Sequence, residues 1–172
     1  MAQAHALVSG QLLFEEKLAD PNSFKIKGGA TVAFWEGDDN CTCWEGDYTI
    51  PRLIQTDQGF NVKFKWCTIG CLVNALCGDW CLEILMEQKG INEFELPDNI
   101  RVKMIPFVPK AGHCYEVTCS IPKNTVPPGI FDICVCITLK DSCGRPLPVA
   151  AMGELGAFRF YEDSEPQGHQ YH

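Results

Sequence analysis

Positive charge is scarce in this chain. Fourteen Lys and Arg stand against 22 Asp and Glu, a formal charge of −8, which repels a phosphate backbone instead of releasing its counterions and argues against a nucleic-acid partner. A leader is not evident either: Met1 to Phe14 carries no Lys or Arg ahead of its apolar residues and no continuous apolar run, so a secretory signal is not expected. Long hydrophobic runs are also missing. The most apolar window, Ile69 to Met86, is interrupted by Asn74, Asp79 and Glu83, and two acids near a bilayer centre would cost roughly 2.5–3.5 kcal/mol each. No membrane span is expected, and the compartment expected from these absences is the cytoplasm.

Catalytic constellations are equally thin. Of four histidines only His113 falls beside an expected strand of the regular part of the fold. Its neighbour Cys114 would point to the opposite face of a strand, so the two cannot form a dyad with each other. There is no Gly-x-Ser-x-Gly elbow, no phosphate-binding glycine loop and no His-Glu-x-x-His zinc motif. No catalytic residue is assigned, and an enzyme is not the expected class.

What is present is period-two alternation in a chain of 172 residues, enough for one ordinary domain. Val62, Phe64 and Trp66 alternate with Lys63 and Lys65. Leu82, Ile84 and Met86 alternate with Glu83, Leu85 and Glu87, and Ile100, Val102 and Met104 with Arg101 and Lys103. Tyr115, Val117, Cys119 and Ile121 share one face, as do Phe131, Ile133, Val135, Ile137 and Leu139, with Phe158 and Phe160 closing the series. Turn-rich stretches at Pro97 to Asn99, Pro109 to Gly112, Pro122 to Gly129 and Asp141 to Pro148 separate them. The expectation is an all-β chain, an antiparallel β-sandwich of immunoglobulin-like or related Greek-key topology. It would occupy residues 1–161 as a single domain, with 1–50 less regular, strands expected at Leu12 to Phe14 and Thr31 to Trp35, and 162–172 a flexible tail.

Eleven cysteines dominate the site chemistry. Pairing the Phe60 to Trp66 strand against Leu82 to Met86 as a hairpin places Val62 opposite Met86, Phe64 opposite Ile84, Trp66 opposite Leu82 and Lys65 opposite Glu83. The same register sets Cys67 opposite Cys81 and Cys71 opposite Cys77. This quartet has three readings: disulfides, a tetrathiolate zinc site with two Cys-x-x-x-Cys pairs, or reduced thiols packed as small apolar groups. Zinc is the one cofactor this raises. Cys114, Cys134 and Cys136 alternate with core residues, which places them on outer strand faces that something covers, whether the N-terminal segment, a sheet edge or another subunit. An odd number of cysteines leaves at least one thiol unpaired in a monomer.

Two further features stand out. Trp35-Glu36-Gly37-Asp38 recurs as Trp44-Glu45-Gly46-Asp47, and Glu36, Asp38, Asp39, Asn40, Glu45 and Asp47 offer hard oxygen ligands for a cation, without the ligand alternation of an EF-hand. The connection Thr68 to Trp80 carries Leu72, Val73, Ala75 and Leu76 with no strand to belong to, a stretch either folded under or offered to a partner. The expected function is a non-enzymatic recognition module binding a protein partner or a second copy of itself through these loop residues. The alternative is a metal-binding or redox-responsive protein using the Cys67, Cys71, Cys77 and Cys81 cluster.

Overall fold

The computed structural model describes residues 8–37, 52–90 and 93–162. Alternation is realised there as strands β1 (Val8–Leu12), β2 (Phe14–Glu16), β3 (Lys25–Ile26), β4 (Ala30–Glu36), β5 (Leu53–Gln55), β6 (Phe60–Ile69), β7 (Asp79–Gln88), β8 (Val102–Pro106), β9 (Cys114–Ile121), β10 (Gly129–Lys140) and β11 (Pro146–Tyr161). A single turn of helix, α1 (Asp98–Arg101), and a 3-10 turn at Cys71–Ala75 are the only helical pieces among the described residues. The chain is all-β, as the alternation predicts. The expected tail lies outside the described residues except for Glu162.

Two antiparallel sheets result. In the first, β4 lies between β1 and β6, β9 takes the far side of β6, and β3 extends the β4 side at the end of β6. In the second, β11, β10, β7 and β8 run in that order, with β2 and β5 on the outer edge of β11. Only β5 runs parallel to its partner, at Arg159 to Tyr161. β1 and β2 are nearly continuous, so the chain changes sheets at Leu13.

The hairpin expected between residues 60–66 and 82–86 does not exist. β6 pairs with β4 and β9, while β7 pairs with β10 and β8 in the other sheet. Val62, Phe64, Trp66, Leu82, Ile84 and Met86 are nonetheless all buried, because they meet across the gap between the sheets instead of along one sheet. Lys65 faces Glu116 of β9, not Glu83. Alternation dictates which side chains turn inward and is silent on which strand lies alongside.

One strand also has the opposite sense to that expected. On β8, Ile105 stands opposite Trp80 and Lys103 opposite Leu82, leaving Met104 46 % exposed on the outer face. β8 is an edge strand, and its Lys103 Nζ reaches across to donate to the Thr118 carbonyl of β9 at 2.7 Å. A charged side chain pointing inward at an edge is a known block to edge-to-edge pairing. Ile100 is absorbed into α1.

Aromatic residues fill both ends of the interior. At one end Phe34 stacks on Phe60 (5.1 Å) and meets Phe158 of the other sheet at 4.5 Å, with Phe131 and Phe160 alongside. At the other, Trp66 of the first sheet meets Trp80 of the second edge-on at 5.5 Å, and Tyr115 stacks on Trp66 at 4.8 Å. Truncating a fully buried aromatic loses its burial and leaves a cavity, so Phe64→Ala is expected to lower unfolding free energy by about 3–5 kcal/mol in chemical denaturation. Gly78→Ala should also destabilise: Gly78 has φ +135° and a Cβ there would run into the Lys140 carbonyl.

Candidate interaction face

The cysteine quartet is dispersed. Cys67 is bonded to Cys114 across the β6–β9 pair, Cys71 and Cys77 are exposed in the connection that crosses between sheets, and Cys81 is 2 % exposed on β7. The proposed opposition of Cys67 with Cys81, and of Cys71 with Cys77, depended on the hairpin and falls with it. Cys67 is therefore unavailable as a thiolate, and among the described residues no three His, Cys, Asp or Glu side chains are grouped to hold a metal ion. The tetrathiolate is corrected on that ground.

The apolar connection is largely folded under. Val73 is fully buried, which removes it from the expected partner-binding set, and Leu72 and Leu76 pack against the core. The cause is local: Leu72 N–H donates to the Ser23 carbonyl at 2.9 Å, and Gly70, at φ +111°, lies so close to Ser23 that a Cβ would collide with its carbonyl. Ala75 alone of the four is exposed. Of the expected cation ligands, Glu36 uses its Oε1 to accept the Gln55 N–H at 2.9 Å, fastening β4 to β5. Asp38, Asp39, Asn40, Glu45 and Asp47 lie outside the described residues. His113 rests edge-on against Tyr115 at 4.6 Å, and its carbonyl accepts the Thr68 N–H.

The outer faces of the two sheets differ in kind. On the first, Lys63 and Lys65 both reach Glu116, a charge cluster in which Lys63 is largely covered and Lys65 and Glu116 are half-exposed. On the second, register places Met104, Cys81, Thr138 and Ala150 in one row and Val102, Glu83, Cys136 and Met152 in the next, with Leu85, Cys134 and Glu154 beyond. The two most exposed large apolar side chains described, Leu13 at 77 % and Met152 at 67 %, stand together here. They border a shallow groove of about 260 Å³ whose other walls are Glu15, Cys136, Thr138, Ala150 and Ala151. The cover expected over Cys134 and Cys136 comes from close neighbours on the same sheet: Cys136 is 8 % exposed and Cys134 half-buried, while the face around them stays open. Cys114, on the other sheet, is exposed and bonded.

Leu13 and Met152 were legible as anomalies. Leu12-Leu13-Phe14 and Ala150-Ala151-Met152 are apolar at both parities, which a strand with one wet face does not need.

Burial raises the thiols of Cys81, Cys119, Cys134 and Cys136. Cys119 and Cys136 are pushed up to about 11, in each case chiefly by desolvation, with Glu83 adding to the effect at Cys136 and Lys103 opposing it at Cys119. Cys134 is raised by burial and then by Glu154, Asp132 and Glu87, so three carboxylates lie within electrostatic reach of it. Comparison with models of known protein families and with curated proteins finds no match to this chain.

Two outcomes are expected. In the native protein at pH 8 a small thiol reagent should label Cys71, Cys77 and Cys143 first, and Cys81, Cys119 and Cys136 last, as read by peptide mass spectrometry. Above pH 9 the unfolded chain releases the Cys119 and Cys136 protons while the folded chain holds them up to about pH 11. Unfolding free energy should therefore fall with rising pH across that window, and Cys119→Ala should flatten the slope.

Proposed function

We propose that this chain is a non-enzymatic recognition module, a single β-sandwich domain over residues 1–161 that binds a protein partner through the outer face of its second sheet. The observation that carries the reading is the pair Leu13 and Met152, 77 % and 67 % exposed, which border one groove on that face, with Met104, 46 % exposed, on the same face three strands away. Exposed apolar side chains gathered on one surface mark interaction sites, whereas the same residues scattered singly mean nothing.

Strand order supports the immunoglobulin-like form of this reading. β4, β6 and β9 take the neighbourhood of strands A, B and E, and β11, β10, β7 and β8 that of G, F, C and C′. Trp80, fully buried on the strand in the C position, corresponds to the core tryptophan of that architecture. The bond does not follow the pattern, joining β6 to β9 within one sheet instead of linking the two sheets. Fold resemblance carries no function by itself, so the binding proposal stands on the face. Photocrosslinking tests it: benzoylphenylalanine at position 152 should give discrete protein adducts in cells and at position 57 should not. Adducts of equal yield at both positions, or at neither, would sink the reading. Met152→Asp should leave stability within about 0.5 kcal/mol of the parent, as surface changes do.

One observation favours a second, redox-responsive reading. A bond between Cys67 and Cys114 coexists with seven free thiols among the described residues, three of them exposed. So many free thiols suit a reducing compartment such as the cytoplasm, where a partly exposed disulfide is a regulated feature, not a permanent one. Its sequence separation of 47 residues implies a contribution of about 4 kcal/mol through loop closure. Cys114→Ser should remove that increment in the oxidised protein and change nothing in the reduced one. Equal loss in both states would assign Cys114 a packing role only.

No helix among the described residues is long and apolar enough to cross a membrane.

A further inference from the structure

We infer that the occupant of the second sheet's outer face is a protein segment that presents aliphatic side chains flanked by Lys or Arg, seated in the groove between Leu13 and Met152. The inference rests on the binding reading above and adds the partner's chemistry to it. The groove supplies the apolar half. Leu13 projects from the point where the chain passes from β1 to β2, Met152 and Ala150 come from the adjacent β11, and Cys136 and Thr138 of β10 line the far side. Methionine walls adapt to the shape of an inserted aliphatic group.

Charge around the groove supplies the other half. Glu15 borders it directly and stands opposite Ala150, Glu83 stands opposite Cys136, and Glu154 stands opposite Cys134. Glu83 and Glu154 form no ion pair among the described residues, and Glu15 is paired with the highly exposed Lys17 at 3.9 Å. Further along the face, Asp132 is neutralised by Lys89 at 3.1 Å, Arg101 of α1 lies within electrostatic reach of Glu83, and Lys140 and Arg159 lie at the ends of β10 and β11. An apolar centre ringed by carboxylates selects a partner with basic residues at its rim, since like charges brought together across an interface are penalised. A second copy of this chain is disfavoured on the same ground, because stacking the face on itself would set these carboxylates against their own counterparts.

Three synthetic nine-residue peptides serve as probes: alternating Leu and Lys, alternating Leu and Glu, and alternating Ser and Lys. Each is titrated into the full chain carrying 13C-methyl methionine. The Leu/Lys peptide is expected to shift the Met152 methyl while leaving the buried Met86 in place. Its binding should weaken several-fold between about 50 and 300 mM salt, where the screening length falls from roughly 14 to 6 Å. Ten-fold or greater losses are expected from Met152→Asp and from Glu15→Lys combined with Glu154→Lys, and no loss from Asp57→Lys, an exposed acid away from this face. Equal binding of the Leu/Glu peptide at Met152 would overturn the basic partner and leave the binding face standing. Equal binding of the Ser/Lys peptide, or equal weakening by Asp57→Lys, would reduce the effect to general charge attraction and overturn the groove. No shift of Met152 with any peptide would count against the face itself. Concentration-dependent dimerisation abolished by Met152→Asp would identify a second copy as the occupant and overturn the proposal.

Discussion

Trp66 and Trp80 hold the two sheets in contact. Each is fully buried, each comes from a different sheet, and their rings meet edge-on at 5.5 Å with Tyr115, Phe107 and Phe14 packed around them. Aromatic pairs in this geometry contribute about 0.5–1.5 kcal/mol beyond the area they bury. Neither indole N–H has a hydrogen-bond acceptor among the described residues, so this end of the interior is held by packing and not by polar satisfaction. The two tryptophans are also separated by the connection that crosses from one sheet to the other. Once they meet, Val73 has a buried place to occupy and Cys67 is brought level with Cys114 on the neighbouring strand. The position of Tyr115, whose hydroxyl accepts the Val108 N–H at 2.8 Å, then fixes the turn leading into β9.

Much of this was readable in advance, but only at the level of faces. The inward set of β6, β7, β9, β10 and β11 follows from alternation alone, and every member named for those strands is buried. Pairing did not follow. Two strands with matched apolar parity fit equally well side by side or face to face, and Lys65 with Glu83 looked like a cross-strand pair although Glu116 is the true neighbour. The connection between Cys67 and Cys81 was long enough for either arrangement, and its Gly70 and the contacts to Ser23 that settle its path involve a segment some fifty residues earlier. β8 misled for a related reason: at an edge the side chain facing in can be Lys103, because its ammonium finds the Thr118 carbonyl. The apolar outer face of the second sheet escaped notice because each of its rows draws on strands distant in sequence.

Cysteine illustrates how little residue type decides alone. Cys119 is a core thiol, its ionisation opposed by burial, and it behaves as a small apolar group. Cys136 belongs to an outer face yet is nearly as enclosed, with Glu83 opposite making the thiolate still less favourable. Cys114 is exposed and bonded, and Cys143 is exposed and free in the turn organised by Asp141, whose carboxylate accepts the Cys143 and Arg145 N–H groups. These differences come from strand order, which no spacing rule along the chain contains.

β11 has an effect on biogenesis. At 16 residues it is the longest strand described, and it is the partner of β2 at Val149 to Ala151 and of β5 at Arg159 to Tyr161. Two strands from the first third of the chain thus wait for the last to be synthesised. While a ribosome is still extending the protein, β2 and β5 have no edge to join and β10 lacks one of its two neighbours. The sheet closes only when β11 emerges, across more than a hundred residues from both β2 and β5, the circumstance in which folding is slow and unpaired edges are exposed longest.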